Sequence, residues 1–296
     1  MLPLSTFGVL AYPHIDPVFL SIGPVQLHWY GLAYVAGILL GWLYGRHLVS
    51  NRKLWPNGVS PITKLEIDDA ILYLTLGIVL GGRLGYVIFY DPAVYLAHPL
   101  QVFSVWDGGM AFHGGLVGVT VAIILFCKQR GVPFFSLIDV VAAAVPFGLF
   151  FGRIANFING ELWGSPSNMP WAMVFPTGGP MPRHPSQLYE AALEGILLWI
   201  ILRIATHVFK SFGRPRLTAG IFILCYGIFR IMVEAFWRMP DKQLGYLYGG
   251  WLTMGMVLSI PMLLVGLWAI ATAKPKTYEP RPDDASGTTS EDVARP

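Results

Sequence analysis

Seven stretches of about twenty residues, apolar and nearly free of charge, decide what this chain can fold into. They fall at 27–48, 68–90, 110–128, 136–158, 187–209, 217–237 and 249–272. A helix that crosses a bilayer needs about 20 predominantly apolar residues, so the chain is expected to be an all-α polytopic membrane protein with about seven transmembrane helices. Composition agrees: the 296 residues are 54% hydrophobic and 12% charged, against roughly 25% charged in an ordinary soluble domain. A single soluble core of this length could not hide so much apolar surface. Residues 1–273 are expected to form one membrane-embedded domain. From Lys274 to Pro296 the chain is rich in Pro, Ser, Thr and Asp, which predicts a disordered tail. Met1 to His28 contains no Lys or Arg, and so lacks the basic start of a cleaved signal peptide.

Lys and Arg accumulate in cytoplasmic loops. One set of loops holds twelve of them (Arg46, Arg52, Lys53, Lys64, Lys128, Arg130, Arg203, Lys210, Arg214, Arg216, Lys274 and Lys276). The other set holds three, Arg183, Arg238 and Lys242. The bias predicts an external N-terminus and a cytoplasmic C-terminus. Glycines four apart (Gly37/Gly41/Gly45, Gly77/Gly81/Gly85, Gly114/Gly118 and Gly148/Gly152) predict close helix packing. Cys127 and Cys225 lie within apolar stretches, away from CxxC or Cys/His patterns, and are expected to be packed, inert thiols; no metal site is expected.

Three spans share a pattern. Thirteen uncharged residues separate Asp69 from Arg83, Asp139 from Arg153 and Arg216 from Arg230. At 1.5 Å per residue each arginine then lies ~20 Å above the inner boundary, in the outer half of a hydrocarbon core about 30 Å thick. Tyr30, His113, Glu190 and Glu194 fall near the same level. Tyr226, Arg230 and Glu234 are spaced by four and share a helical face, as do Arg153, Asn156 and Gly160 on the fourth span. Arginines near helix ends can snorkel to the interface, but ionisable residues within a bilayer usually face partners or a cavity. Of the three, Arg83 has the clearest structural alternative, beside Asp91 and a glycine-rich turn. Guanidinium donates paired hydrogen bonds to phosphate and keeps its charge when desolvated, so Arg153 and Arg230 suit an anionic lipid headgroup. Glu161, Glu190, Glu194 and Glu234 are then expected to orient the arginines or offset their charge.

The run Gly152–Gly164 reads GRIANFINGELWG and closely resembles the signature of the bacterial prolipoprotein diacylglyceryl transferases. Phe112-His113-Gly114-Gly115, Arg183-His184-Pro185-Ser186-Gln187-Leu188-Tyr189-Glu190, Tyr30-Gly31, and Tyr226 with Arg230 and Glu234 resemble further blocks of that family. After Glu234 the chain reads Ala235-Phe236-Trp237-Arg238, whereas the family more often has its next arginine one residue sooner, so the resemblance assigns Arg238 no role.

The resemblance implies an enzyme at the outer face of the bacterial inner membrane. It moves the diacylglyceryl group of phosphatidylglycerol to the lipobox cysteine of a prolipoprotein, forms a thioether and releases glycerol phosphate. The expected partners are phosphatidylglycerol, the prolipoprotein signal peptide with its cysteine, and membrane lipids, with no cofactor and no nucleic acid. The expected catalytic residues are Tyr30, His113, Arg153 and Arg230. Arg153, Asn156, Glu161, Gly164, Tyr226 and Glu234 are expected to bind substrate. His113 is either the base for the thiol proton or a scaffold for Tyr30 or the headgroup. Gly164 is expected to meet a backbone requirement where the fourth span gives way to an outer loop.

Other classes fit less well. A lipid or small-molecule transporter or flippase would carry inverted repeats and midplane helix breaks, and the sequence shows no repeat. A structural or assembly factor has no need of matched intramembrane arginines. An intramembrane protease needs paired Asp or Ser/His at one depth.

Overall fold

A computed structural model of the protein describes residues 10–13, 15–23, 25–104, 108–240 and 245–279. The helices follow the apolar stretches closely. In chain order they are α1 (Trp29–Ser50), α2 (Lys64–Phe89), the short α3 (Pro92–Ala97), α4 (Phe112–Arg130), α5 (Phe134–Ile158), α6 (Ser186–Glu190), α7 (Leu198–His207), α8 (Leu217–Phe236) and α9 (Met254–Thr272). Six of them, α1, α2, α4, α5, α8 and α9, are long and apolar enough to cross a membrane. The remaining stretch, the fifth in order, is helical from Ser186 to His207 but changes pitch: α6 passes into a π-helical segment, Ala191–Leu197, before α7 resumes the regular α form. Single π turns inside helices are rare and recur at functional sites. One small departure from an all-helical chain precedes α1, where β1 (Val18–Ile22) pairs antiparallel with β2 (Val25–His28).

Local chemistry explains the helix ends. Thr63 and Glu66 form a capping box at the start of α2: each side chain accepts the other's backbone N–H. Gly131 ends α4 in the left-handed conformation. Thr253 caps α9 by accepting the Met256 N–H.

The chain folds as two compact units, Met1–Tyr44 with Val141–Pro275, and Gly45–Val140 with Lys276–Pro296. The second unit is built on α2 and α4, whose glycines meet backbone to backbone. A Cβ on Gly77 would lie 2.7 Å from the Gly118 carbonyl oxygen, and one on Gly85 would lie 2.7 Å from Gly114 Cα. Small residues that allow such approach are a membrane device, because lipid gives helices no hydrophobic reason to associate. Arg46 pairs with Asp68 at 2.9 Å and Arg130 with Asp69 at 2.6 Å. Cys127 is buried in α4.

The start of the expected tail behaves differently from the prediction. Tyr278 is buried, its hydroxyl lies 2.8 Å from Ser136 Oγ, and its ring meets Trp55 edge-on. Residues 280–296, the rest of that tail, lie outside the described residues, as does Lys242.

In the first unit α1 meets α5 where a Cβ on Gly37 would lie 2.8 Å from Gly148 Cα. A cluster of Leu198, Leu202 and Phe229 joins α7 to α8, with the half-buried Cys225 and Tyr226 packed against it. Beyond the end of α5 the chain forms a loop organised by Arg183. Its guanidinium donates to the carbonyls of Gly178 (2.9 Å) and Gly164 (3.3 Å) and lies 4.1 Å from the Trp163 ring centre. Tyr12, Phe157 and Phe175 pack together nearby, and the Tyr12 hydroxyl donates to the Phe157 carbonyl at 2.6 Å.

Candidate active site

Three arginines of the first unit converge on one buried carboxylate. Arg153, on α5, places Nη1 2.6 Å from Glu190 Oε2. Arg238, just past the end of α8, places Nη1 2.7 Å from Glu190 Oε1. Arg230, on α8, has Nη1 3.8 Å from that same oxygen. Glu190 is 1% exposed, while the arginine side chains remain 15–18% exposed. The carboxylate is sealed, and the arginines that surround it are only slightly exposed.

Two more carboxylates complete the group. Glu194 Oε2 accepts from Arg153 Nε at 3.1 Å and Nη2 at 2.9 Å. Its other oxygen is buried without a hydrogen-bond partner among the described residues. Glu234 pairs with Arg230 one turn away on α8 and lies 3.6 Å from Arg238 Nε. Room for Glu234 comes from Gly255 at the start of α9, where a Cβ would sit 2.6 Å from its Oε1. Glu190 and Glu194 bracket the first turn of the π segment, so the change of pitch falls where both carboxylates reach Arg153. Gly195 lets that turn press against α5: a Cβ there would lie 2.7 Å from Phe150 Cβ. Tyr226, one turn before Arg230, lies within electrostatic reach of Arg153, Glu190, Glu194 and Arg230.

A second polar group sits one turn along α5. Asn156 Nδ2 donates to Glu161 Oε1 at 2.8 Å and reaches the Tyr30 hydroxyl at 3.4 Å. Gly160 takes a left-handed conformation that turns the chain back at the end of α5, and the Glu161 N–H donates to the Asn156 carbonyl at 3.1 Å. Ser186 Oγ and Gln187 Nε2 donate to the Leu162 and Glu161 carbonyls, which ties the start of α6 to this turn.

Gly164 is needed for a different reason from the one its sequence position suggests. Its φ lies outside the left-handed region; the constraint is space. A Cβ there would fall into the Trp237 carbonyl and lie 2.8 Å from His184. The close approach allows Gly164 to pair with Arg238 across two segments far apart in sequence, with the Ser165 N–H donating to the Trp237 carbonyl at 2.8 Å. Gly164 therefore fixes where Arg238 leaves α8. His184, beside it, shares a hydrogen bond with the Tyr189 hydroxyl at 3.1 Å, and burial pushes its pKa below the ordinary histidine value.

The expected residues thus fall in two places. Tyr30, Arg153, Asn156, Glu161, Gly164, Tyr226, Arg230 and Glu234 all belong to the first unit. His113 belongs to the second, exposed on the first turn of α4 with its ring against Phe112. Arg83 also belongs to the second unit, and it has a structural task. Its hydrogen bonds go to backbone carbonyls rather than to Asp91.

Sequence reasoning assigned no role to Arg238, which completes the cluster, and treated Glu190 as an accessory although it is the hub. The available signal was spacing: Arg238 stands four residues after Glu234, as Glu234 stands four after Arg230. Among the described residues no group of three or more His, Cys, Asp or Glu is arranged to hold a metal. The carboxylates face guanidiniums.

A sequence profile described as prolipoprotein diacylglyceryl transferase matches residues 17–272. The phosphatidylglycerol–prolipoprotein diacylglyceryl transferase of Agrobacterium fabrum is 57% identical over 273 residues, 92% of this chain and 97% of that protein. The protein of the same name from Rhizobium meliloti is 59% identical over 270 residues, 91% and 96% of the two chains. That of Allorhizobium ampelinum is 54% identical over 283 residues, 96% and 98%. With a profile spanning nearly all the helices and relatives of matching length, the chain belongs to the prolipoprotein diacylglyceryl transferase family.

Proposed function

We propose that this protein transfers the diacylglyceryl group of phosphatidylglycerol to the lipobox cysteine thiol of a prolipoprotein, forming a thioether and releasing glycerol phosphate. The relatives' names point to this reaction. The observation that carries it to particular residues is the meeting of Arg153, Arg230 and Arg238 on Glu190. Neither the relatives nor the geometry favours a transporter.

The nucleophile belongs to the substrate, so the enzyme needs to supply charge and proton handling. The sulfur attacks the glyceryl carbon, the carbon–oxygen bond to phosphate breaks, and its electron pair stays on the phosphate oxygen. Fixed, preorganised cations where that charge develops are usually the largest contribution to such a step. Arg230 suits the role: among the described residues its hydrogen bond goes to Glu234, which leaves donors on Nε and Nη1 for a phosphate oxygen. Arg153 is held on two sides by Glu190 and Glu194, which sets the plane of its guanidinium. Tyr30, Asn156 and Glu161 present hydroxyl, amide and carboxylate groups suited to headgroup hydroxyls. Tyr226 lines the same face of α8, and Gly164 acts through Arg238. His113 is either the base that takes the thiol proton or a scaffold for the headgroup.

The loop charge bias supports an external N-terminus, a cytoplasmic C-terminus and a site facing the outer leaflet of the bacterial inner membrane. The test is purified protein with phosphatidylglycerol vesicles and a lipobox peptide. Mass added to the peptide's cysteine is the expected result, lost in Arg153→Ala protein that remains folded in detergent. Near-normal turnover by Arg153→Ala would remove that residue from the site.

A further inference from the structure

Arg83 is 4% exposed and is surrounded by backbone oxygens. Nε donates to Val102 at 2.9 Å, Nη1 to Gly108 at 2.6 Å and Gly109 at 3.2 Å, and Nη2 to Gln101 at 2.6 Å and Ser104 at 3.0 Å. A guanidinium has five N–H donors, and all five are matched. It therefore has no donor left for a phosphate. Tyr95 lies against its face, 5.1 Å from the ring centre.

The carbonyls it gathers lead straight into α4. Gly108 and Gly109 both have left-handed φ, which turns their carbonyls toward one cation, and a Cβ on Gly109 would lie 2.9 Å from Arg83 Nη1. Two residues later the Ala111 N–H donates to the Gly82 carbonyl, next to Arg83 in α2, at 2.9 Å. Gly114 then lies on the α2 backbone at Gly85. His113 is therefore bracketed by contacts to α2 on both sides, and the clamp at Arg83 is the one made by a charged side chain.

We propose that Arg83 is a positioning residue for the transfer reaction, holding Gln101, Val102, Ser104, Gly108 and Gly109 so that His113 is presented in a fixed place; this rests on the role given to His113 above. A residue that acts through another loses its effect when that other is removed, which a double-mutant cycle reads directly.

The experiment measures kcat, KM for phosphatidylglycerol and the pH profile in full-length Arg83→Ala, His113→Asn and the double variant. Arg83→Ala is expected to lower kcat about tenfold with little change in KM, and to cost less than about twofold more in the His113→Asn background. Arg83→Lys should recover only part, since an ammonium carries three donors on one atom. If Arg83→Ala does not fold, Gly109→Ala loosens the same clamp from its other side and takes its place in the cycle. An undiminished tenfold loss in the His113→Asn background would overturn the proposal. Normal kcat and an unchanged pH profile in His113→Asn alone would instead sink the role of His113, and this inference with it.

Discussion

Glu190→Gln is the sharpest single perturbation of the arginine cluster. The substitution keeps the shape and removes the charge. Glu190 now receives Arg153 on one oxygen at 2.6 Å and Arg238 on the other at 2.7 Å. An amide has one oxygen and one NH2, so whichever way it turns, one guanidinium meets a donor instead of an acceptor. Breaking a buried pair by removing one partner costs roughly 3–5 kcal/mol. The arginines keep 15–16% exposure, so the low end applies, about 3 kcal/mol. At 1.36 kcal/mol per tenfold, mispositioning of that size lowers turnover by about 100-fold if it is felt fully in the transition state. Initial rates of transfer to a lipobox peptide from phosphatidylglycerol, read by mass, measure it, with the melting temperature in detergent as the companion observable. Glu190→Asp keeps the charge but is one methylene shorter, and should hold one arginine and recover part of the rate. Turnover of Glu190→Gln within about threefold of the parent, at unchanged melting temperature, would refute the idea that this carboxylate organises the cluster.

Gly164→Ala forces a methyl into the Trp237 carbonyl and His184, an overpacking of about 1–3 kcal/mol that moves Arg238 off Glu190; transfer assays should show about a tenfold loss alongside a lower melting temperature, and Arg238→Ala should reproduce the loss of rate. Arg230→Lys should cost about 100-fold in turnover, because a point charge cannot hold Glu234 and also present a planar fork to phosphate; a rate near the parent's would exclude Arg230 from phosphate binding.

The helices were legible in the sequence because a bilayer demands long apolar runs, and all of the cluster but Arg238 was named there as part of the site, with helical periodicity putting Arg230 and Glu234 on one face. What stayed concealed is long-range or irregular. Arg238 keeps the four-residue spacing from Glu234 but lies past the last turn of α8, where spacing alone does not place a side chain; its place is set by pairing with Gly164, more than seventy residues earlier. The π segment leaves no mark in composition, since Ala191–Leu197 reads as ordinary helix. Arg83 was legible in part: the sequence offers it a structural role beside a glycine-rich turn, but points to Asp91 where the structure supplies carbonyls. The sequence also expects it at the depth of Arg153 and Arg230, but an expected depth says nothing about donors, and backbone carbonyls occupy all of them. Tyr278 sits in a stretch too polar to predict packing and is buried nonetheless.

Three guanidiniums set against three carboxylates leave the centre of the first unit with no formal charge of its own. A phosphodiester arriving there adds one negative charge, and its conversion to a monoester adds part or all of a second. If the lipid phosphate docks here as proposed, the open donors of Arg230 meet the first charge and the second finds fewer left, which favours release of the headgroup once transfer is complete.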